Sequence, residues 1–235
     1  MKKLSILLLA FVCSIVAVAQ KVNDPNAEVR EAKNFHGISL SSAFDVYLSQ
    51  SNEEAVAVSA AETKHRDRIK VEVKDGILHI SYDSKGMSWS TGNKKLKAYI
   101  SFKQINKLDI SGACDVYITG TLKTGELKIK QSGASDLKGK LDVNKLTVDL
   151  SGASDMMVSG SATQLSVEAS GASDFKGYEL VSETCDARAS GASDIKITVN
   201  KELSAQASGA SDVRYKGNGV IRDIKSSGSS SVSKG

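Results

Sequence analysis

The sequence predicts an all-β fold: a right-handed, single-stranded parallel β-helix with an N-terminal strand and hairpin cap. Three observations carry this reading. A pentapeptide recurs about every nineteen residues from Ser111 onward, the residues around it alternate apolar and polar, and shorter alternating runs joined by an Asp-Gly pair precede it.

The pentapeptide is Ser111-Gly112-Ala113-Cys114-Asp115 in its first copy, then Ser-Gly-Ala-Ser-Asp starting at Ser132, Ser151, Ser170, Ser190 and Ser208. A degenerate copy starts at Ser227, and the seven starts are 21, 19, 19, 20, 18 and 19 residues apart. A fixed period of this size marks a solenoid, in which each unit buries its apolar face only against its neighbours. Five residues before the pentapeptide stand Leu127, Leu146, Leu165, Cys185 and Leu203. Three before it stand Leu108, Ile129, Val148, Val167, Ala187, Ala205 and Ile224. Polar residues separate the two columns, which is the period-two pattern of a strand with one face inward. Just after the pentapeptide come Val116, Leu137, Met156, Phe175, Ile195 and Val213, a second large apolar column. The pentapeptide alanines are expected to point inward as a third, small-residue column. Each unit then reads as strand, tight Ser-Gly corner, strand and return. Right-handed winding follows from the general hand of parallel crossovers.

Upstream, Phe44 to Leu48, Ala55 to Val58, Ile69 to Val73 and Ile77 to Ile80 alternate as strands do, and Asp75-Gly76 is a two-residue hairpin signal. Ser41-Ser42-Ala43-Phe44-Asp45-Val46 reads as a worn copy of the repeat, so the solenoid is expected to begin there. The expected organisation is a signal peptide over residues 1–19, an N-terminal linker over 20–34, one β-helix domain over 35–226 and a polar tail over 227–235. Within the domain, 35–105 supply entry strands and the cap insertion, and 106–226 the repeat rungs.

Residues 1–19 join Lys2 and Lys3 to an apolar stretch from Leu4 to Val18 that ends in Ala17-Val18-Ala19, the small-residue pattern read by a signal peptidase. Phe11 and Val12 before Cys13 do not make a lipobox. The apolar run is also short of the ~20 residues of a spanning helix. The expectation is an exported protein starting at Gln20, in the periplasm, at the cell surface or secreted, with no transmembrane segment after cleavage. The whole chain of 235 residues has formal net charge +4, which drops to +2 once Lys2 and Lys3 leave. That balance, with 5% aromatic residues, excludes a nucleic-acid binder, which needs a clustered basic excess.

The exported leader, the Phe35-His36-Gly37-Ile38 entry strand, the Asp75-Gly76 hairpin and the Ser-Gly-Ala-Ser-Asp ladder together resemble the head GIN domain family of auto-transporter adhesins, over roughly residues 35 to 220. The resemblance implies a right-handed β-helix of the pectate-lyase-like class in an exported bacterial protein. It brings no catalytic residues.

Asp115, Asp136, Asp155, Asp174, Asp194 and Asp212 should stack at the strand spacing of ~4.8 Å. Such a ladder of carboxylates needs compensation. Backbone N–H donors at each corner are the expected answer, so the ladder is structural. A row of bound calcium ions is the alternative, but the calcium-binding glycine-rich nonapeptide is absent. A catalytic carboxylate pair would be unique within a solenoid, whereas these recur on every rung. No catalytic residue, cofactor or metal is therefore expected. Cys114 and Cys185, about four rungs and roughly 19 Å apart, exceed the ~7 Å reach of a disulfide. The pattern breaks in the Ser/Gly-rich segment from Gly86 to Gly92, which holds the single tryptophan. Trp89, Met87, Lys85 and Lys94 are the expected partner contacts, with Trp89 equally readable as a plug over the solenoid's end.

The functional expectation is an exported non-enzymatic binding or adhesion module of the bacterial envelope, contacting a protein or glycan. The alternative is a structural or self-associating envelope protein that forms a homo-oligomer. A carbohydrate-active β-helix enzyme ranks third.

Overall fold

The computed structural model describes residues 24–86 and 94–235. The expected signal peptide, with Cys13, lies outside the described residues, as do residues 20–23 of the expected linker. The described chain is a β-solenoid with a single helical turn, and all its strands join one 16-stranded sheet that winds around the core.

Ahead of the repeats lie β1 (Glu28–Arg30), β2 (Gly37–Leu40), β3 (Asp45–Gln50), β4 (Ala55–Ser59), α1 (Thr63–Arg66), β5 (Ile69–Lys74), β6 (Ile77–Tyr82), β7 (Lys97–Phe102) and β8 (Lys107–Ile110). The repeats form β9 (Asp115–Gln131), β10 (Asp136–Leu150), β11 (Asp155–Ala169), β12 (Asp174–Ala189), β13 (Asp194–Gly209), β14 (Asp212–Lys216), β15 (Val220–Gly228) and β16 (Ser231–Lys234). Each of β9 to β13 carries the second arm of one coil and the first arm of the next, so consecutive strands pair parallel along nearly their whole length. The aspartates fall in register: Asp45, Asp115, Asp136, Asp155, Asp174, Asp194 and Asp212 are successive partners.

The worn copy at Ser41 is a true coil. Val46 of β3 pairs with Val116 of β9, and Ile38 of β2 pairs with Leu108 of β8. The coil that continues the stack on its other side, however, is built later in the chain. β6 pairs parallel with β2, and β7 pairs parallel with β3. The chain thus lays down β2 and β3, steps back to add β6 and β7 beneath them, and then returns above them to start the repeats at β8. Antiparallel strands finish this end. β5 joins β6 through the Asp75-Gly76 hairpin, where both residues have positive φ, and β4 lies on β7 with β1 outside it. At the other end, residues 227–235, set apart by their polarity as a tail, supply the last corner and β16, which pairs with β14.

The core runs along the solenoid axis. All members of the Leu127 and Val116 columns are buried, as are those of the Leu108 column from Leu108 to Ala205. The pentapeptide alanines are not. Ala113, Ala134, Ala153, Ala172, Ala192 and Ala210 face solvent, and the inward position belongs to the next residue: Cys114, Ser135, Ser154, Ser173, Ser193 and Ser211, all fully buried. A buried serine is tolerated here because its hydroxyl closes the corner. Ser193 Oγ donates to Ser190 O at 2.9 Å and Ser211 Oγ to Ser208 O at 2.8 Å, while the Ser190 and Ser208 N–H groups donate back to the hydroxyls. Alanine in that place would leave the Ser190 or Ser208 N–H without this acceptor.

Candidate functional site

The aspartate ladder faces outward, and side-chain cations compensate part of its charge, at Asp155, Asp174 and Asp212. Lys176, two residues after Asp174, reaches Asp155 at 2.6 Å and Asp174 at 3.4 Å, and Arg214 pairs with Asp212 at 2.9 Å. Hydrogen bonding to Asp155, with Asp174 adding to it, raises the Lys176 ammonium above its ordinary value. Among the described residues no backbone N–H donates to these carboxylates. The aspartate N–H groups instead donate to carbonyls of the preceding coil, as Asp136 does to Cys114 O at 2.9 Å. The expected corner hydrogen bonds are therefore made by the buried serines, while Asp155, Asp174 and Asp212 pair with Lys176 and Arg214 of the column two residues further on. No group of three or more His, Cys, Asp or Glu side chains suited to a metal occurs among the described residues.

In the first coils that neighbouring column is aromatic. Tyr47 stacks on Tyr99 with ring centroids 5.3 Å apart and on Tyr117 at 5.5 Å. This three-ring stack was not among the expected contacts, although Asp45-Val46-Tyr47 and Asp115-Val116-Tyr117 repeat one tripeptide in equivalent places. Tyr99 lies on a strand without the pentapeptide and carried no such signal. Burial, then the Asp115 and Asp45 charges, raises the Tyr117 phenol, and burial with the Asp24 hydrogen bond raises that of Tyr99.

The pattern breaks where β6 passes to β7. Every later coil turns there through the tight glycine corner, but Tyr82 and Lys97 are joined by a longer connection. A cleft of about 930 Å³ opens beside it, within the size range of ligand sites. Phe44 and Leu96 form its buried apolar floor, and Tyr82, Lys94, Lys95 and Lys97 line its side. Lys94 Nζ stands 4.9 Å from the centre of the Tyr82 ring, a cation–π contact. Tyr82 is itself anchored, since its hydroxyl lies 2.8 Å from Nδ1 of buried His65. Arg68 holds the start of the connection by donating to the carbonyls of Asp83 at 3.3 Å and Lys85 at 2.9 Å. Of the expected contacts, the structure thus places Lys94 at the cleft and Lys85 on the connection beside it. Trp89 and Met87 lie outside the described residues.

Repeated coils of one chemistry, with irregularity concentrated at one end, define the class: a β-solenoid scaffold that presents a non-repeating cap. Within that class the chain belongs to the head GIN domain family, whose model, described as "Putative auto-transporter adhesin, head GIN domain", matches residues 34–219. Solved structures share the fold. A putative adhesin from Bacteroides fragilis superposes with a TM-score of 0.81 at 23% identity, covering 88% of this chain and 95% of its own. A putative adhesin from Parabacteroides merdae gives 0.69 at 17% identity, with 89% and 95% covered. A putative lipid binding protein from Parabacteroides distasonis gives 0.66 at 20% identity, with 90% and 98% covered. No curated protein matches the sequence significantly. No helix among the described residues is long and apolar enough to cross a membrane.

Proposed function

We propose that this chain is an exported, non-enzymatic binding or adhesion module of the bacterial envelope that contacts a protein or glycan through its cap. The observation that carries the reading is the replacement of the glycine corner between β6 and β7 by a longer connection beside an open cleft. A specific contact needs chemistry that occurs once, and here an apolar floor, a tyrosine and three lysines converge outside the repeats. Membership of an adhesin-like family agrees with this role and with export.

The test compares binding with folding in the same variants. Attachment of the purified protein to envelope glycans and envelope proteins is measured for the wild type, for Trp89→Ala and for Lys85→Ala/Lys94→Ala. Unchanged melting with attachment weakened by the ~2 kcal/mol of a hot spot supports the cap as the contact. A loss of stability of roughly 3 to 5 kcal/mol in Trp89→Ala would make that residue a plug. Full attachment by all variants would move the contact to the repeat faces.

A further inference from the structure

The two ends of the solenoid are finished differently. At the β6–β7 end the exposed edges are β1, only three residues long, and β5, whose Lys70, Glu72 and Lys74 are charged. Both are antiparallel additions, and short or charged edge strands are the usual protection against further pairing. Among the described residues the β15–β16 end has no such finish. β15 runs nine residues in parallel with β13, and no described strand pairs with its other edge. It also carries Val220, Ile221 and Ile224 at 66%, 46% and 38% exposure, half of the exposed large hydrophobic residues of the described chain.

The sequence of β15 fits itself. Ile224 continues the buried column of Ala187 and Ala205, while Asp223 and Lys225 sit outward beside Ser204 and Gln206 and pair with each other at 2.7 Å. A two-fold axis at Ile224 would set a second β15 antiparallel against the first. In that register Ile224 meets Ile224 and extends the core column, and each Asp223 faces Lys225 of the other copy. Opposite charges directly across an antiparallel pair are stabilising, and like charges are not. We propose that the free edge of β15 is a self-association surface, occupied by β15 of a second copy in a closed, tail-to-tail dimer. The charged β5 edge argues against the head-to-tail alternative, which would build open filaments.

Sedimentation equilibrium of the whole protein from ~1 to ~100 μM, a range in which a modest interface registers, should show a monomer–dimer equilibrium. Lys225→Asp and Asp223→Lys each place like charges opposite one another twice, and each should weaken the dimer about tenfold. The double variant Asp223→Lys/Lys225→Asp restores opposite charges in the same register and should return the dissociation constant to within about threefold of the wild type. Melting curves confirm that the variants fold. A readout without substitutions is amide exchange, which should slow for residues 220–227 as concentration rises. A monomer throughout the range, a filament, or a dimer indifferent to both single variants would overturn the proposal. So would a folded double variant that fails to recover. Attachment through the cap is measured separately, so either idea can fail without the other.

Discussion

Gly133 lies on Gly112 of the preceding coil so closely that a β-carbon on Gly133 would stand 2.2 Å from the Gly112 carbonyl oxygen. The closeness has a cause. The Ala134 N–H donates to that same oxygen at 2.8 Å, drawing one corner down onto the next. Gly133 also has φ +87°, in the left-handed region that side chains disfavour. The same contact recurs up the stack, with Gly152 over Gly133 and Gly171 over Gly152. Two independent constraints, backbone conformation and coil spacing, therefore act on one column.

Gly133→Ala should accordingly destabilise the protein by about 3 kcal/mol or more. A left-handed alanine costs ~1–2 kcal/mol by itself, and separating the coils weakens their hydrogen bonds. Gly125 is the control, because a β-carbon there meets nothing within 4 Å and its φ is not left-handed. Gly125→Ala should leave the urea midpoint unchanged or raise stability by about 0.5 kcal/mol. Equal effects at the two positions would remove the steric account of the corner.

These constraints show why the coils were legible in sequence and the cap less so. In a parallel in-register stack each residue meets its own equivalents, so a structural demand at one position is written repeatedly. The Leu127 and Val116 columns and the aspartate register could be read from spacing alone. The alanine column was misassigned because Ala and Ser are both small, and period two does not survive a corner whose glycine has positive φ. The inward place is that of the residue before the aspartate, filled by Phe44 and Cys114 as well as by the serines, and the hydroxyls of Ser193 and Ser211 are hydrogen-bonded within it. In the cap each contact occurs once. Nothing in the local sequence around Tyr99 foretells its stack on Tyr47, and the building of β6–β7 beneath β2–β3 depends on pairing between distant segments.

Tyr99 also ties the chain before β1 to the cap, since its hydroxyl donates to Asp24 Oδ2 at 2.9 Å. Burial works to raise the Asp24 carboxyl, but hydrogen bonds from the Asn26 N–H, Ser59 and Tyr99 outweigh it and hold the group below its ordinary value. Its contribution to stability is present above the ordinary carboxylate range and is lost as pH falls through the lowered value. The Tyr99 phenol is shifted upward by burial and by Asp24. Its contribution is present below the ordinary phenol value of about 10 and is lost as pH rises through the raised one. Tyr99→Phe should cost about 1 kcal/mol at neutral pH and flatten both limbs of the stability profile. A variant with the wild-type profile would show that this hydrogen bond does not hold the segment.

The bridge from Lys176 to Asp155 and Asp174 makes a prediction about the ladder. Lys176→Met removes the cation while keeping the alkyl stem, and should cost roughly 0.5–1 kcal/mol at low salt. The difference should shrink as ionic strength rises. Because Asp155, Asp174 and Asp212 pair with side-chain cations and no metal-suited cluster occurs among the described residues, chelator should leave the wild-type melting temperature unchanged. Calcium titration followed by calorimetry is the sensitive check, as a bound ion stabilises in proportion to the logarithm of its concentration. A melting temperature that climbs with calcium would replace the lysine account with an ion-bridged ladder.

The two described cysteines are both free and both buried, and burial pushes both thiols above their ordinary value. Each stands in a column that names its own replacement. Cys114 fills the place of the inward corner serines, where its Sγ lies 3.5 Å from Ser111 O, as Ser193 Oγ lies 2.9 Å from Ser190 O. Cys185 fills the place of a leucine between Leu165 and Leu203 in the buried column. Cys114→Ser should therefore be nearly neutral, because the shorter hydroxyl finds the same acceptor. Cys185→Leu adds apolar volume where neighbouring coils already hold leucine, and should cost no more than the ~1–3 kcal/mol of added core volume. The double variant should fold and melt as cooperatively as the wild type. In the wild type, a thiol reagent should modify both cysteines only at the rate of unfolding, because the reactive thiolate is suppressed and shielded. Rapid modification of Cys185 in the native protein would show that the coils around it open far more readily than their hydrogen bonding implies.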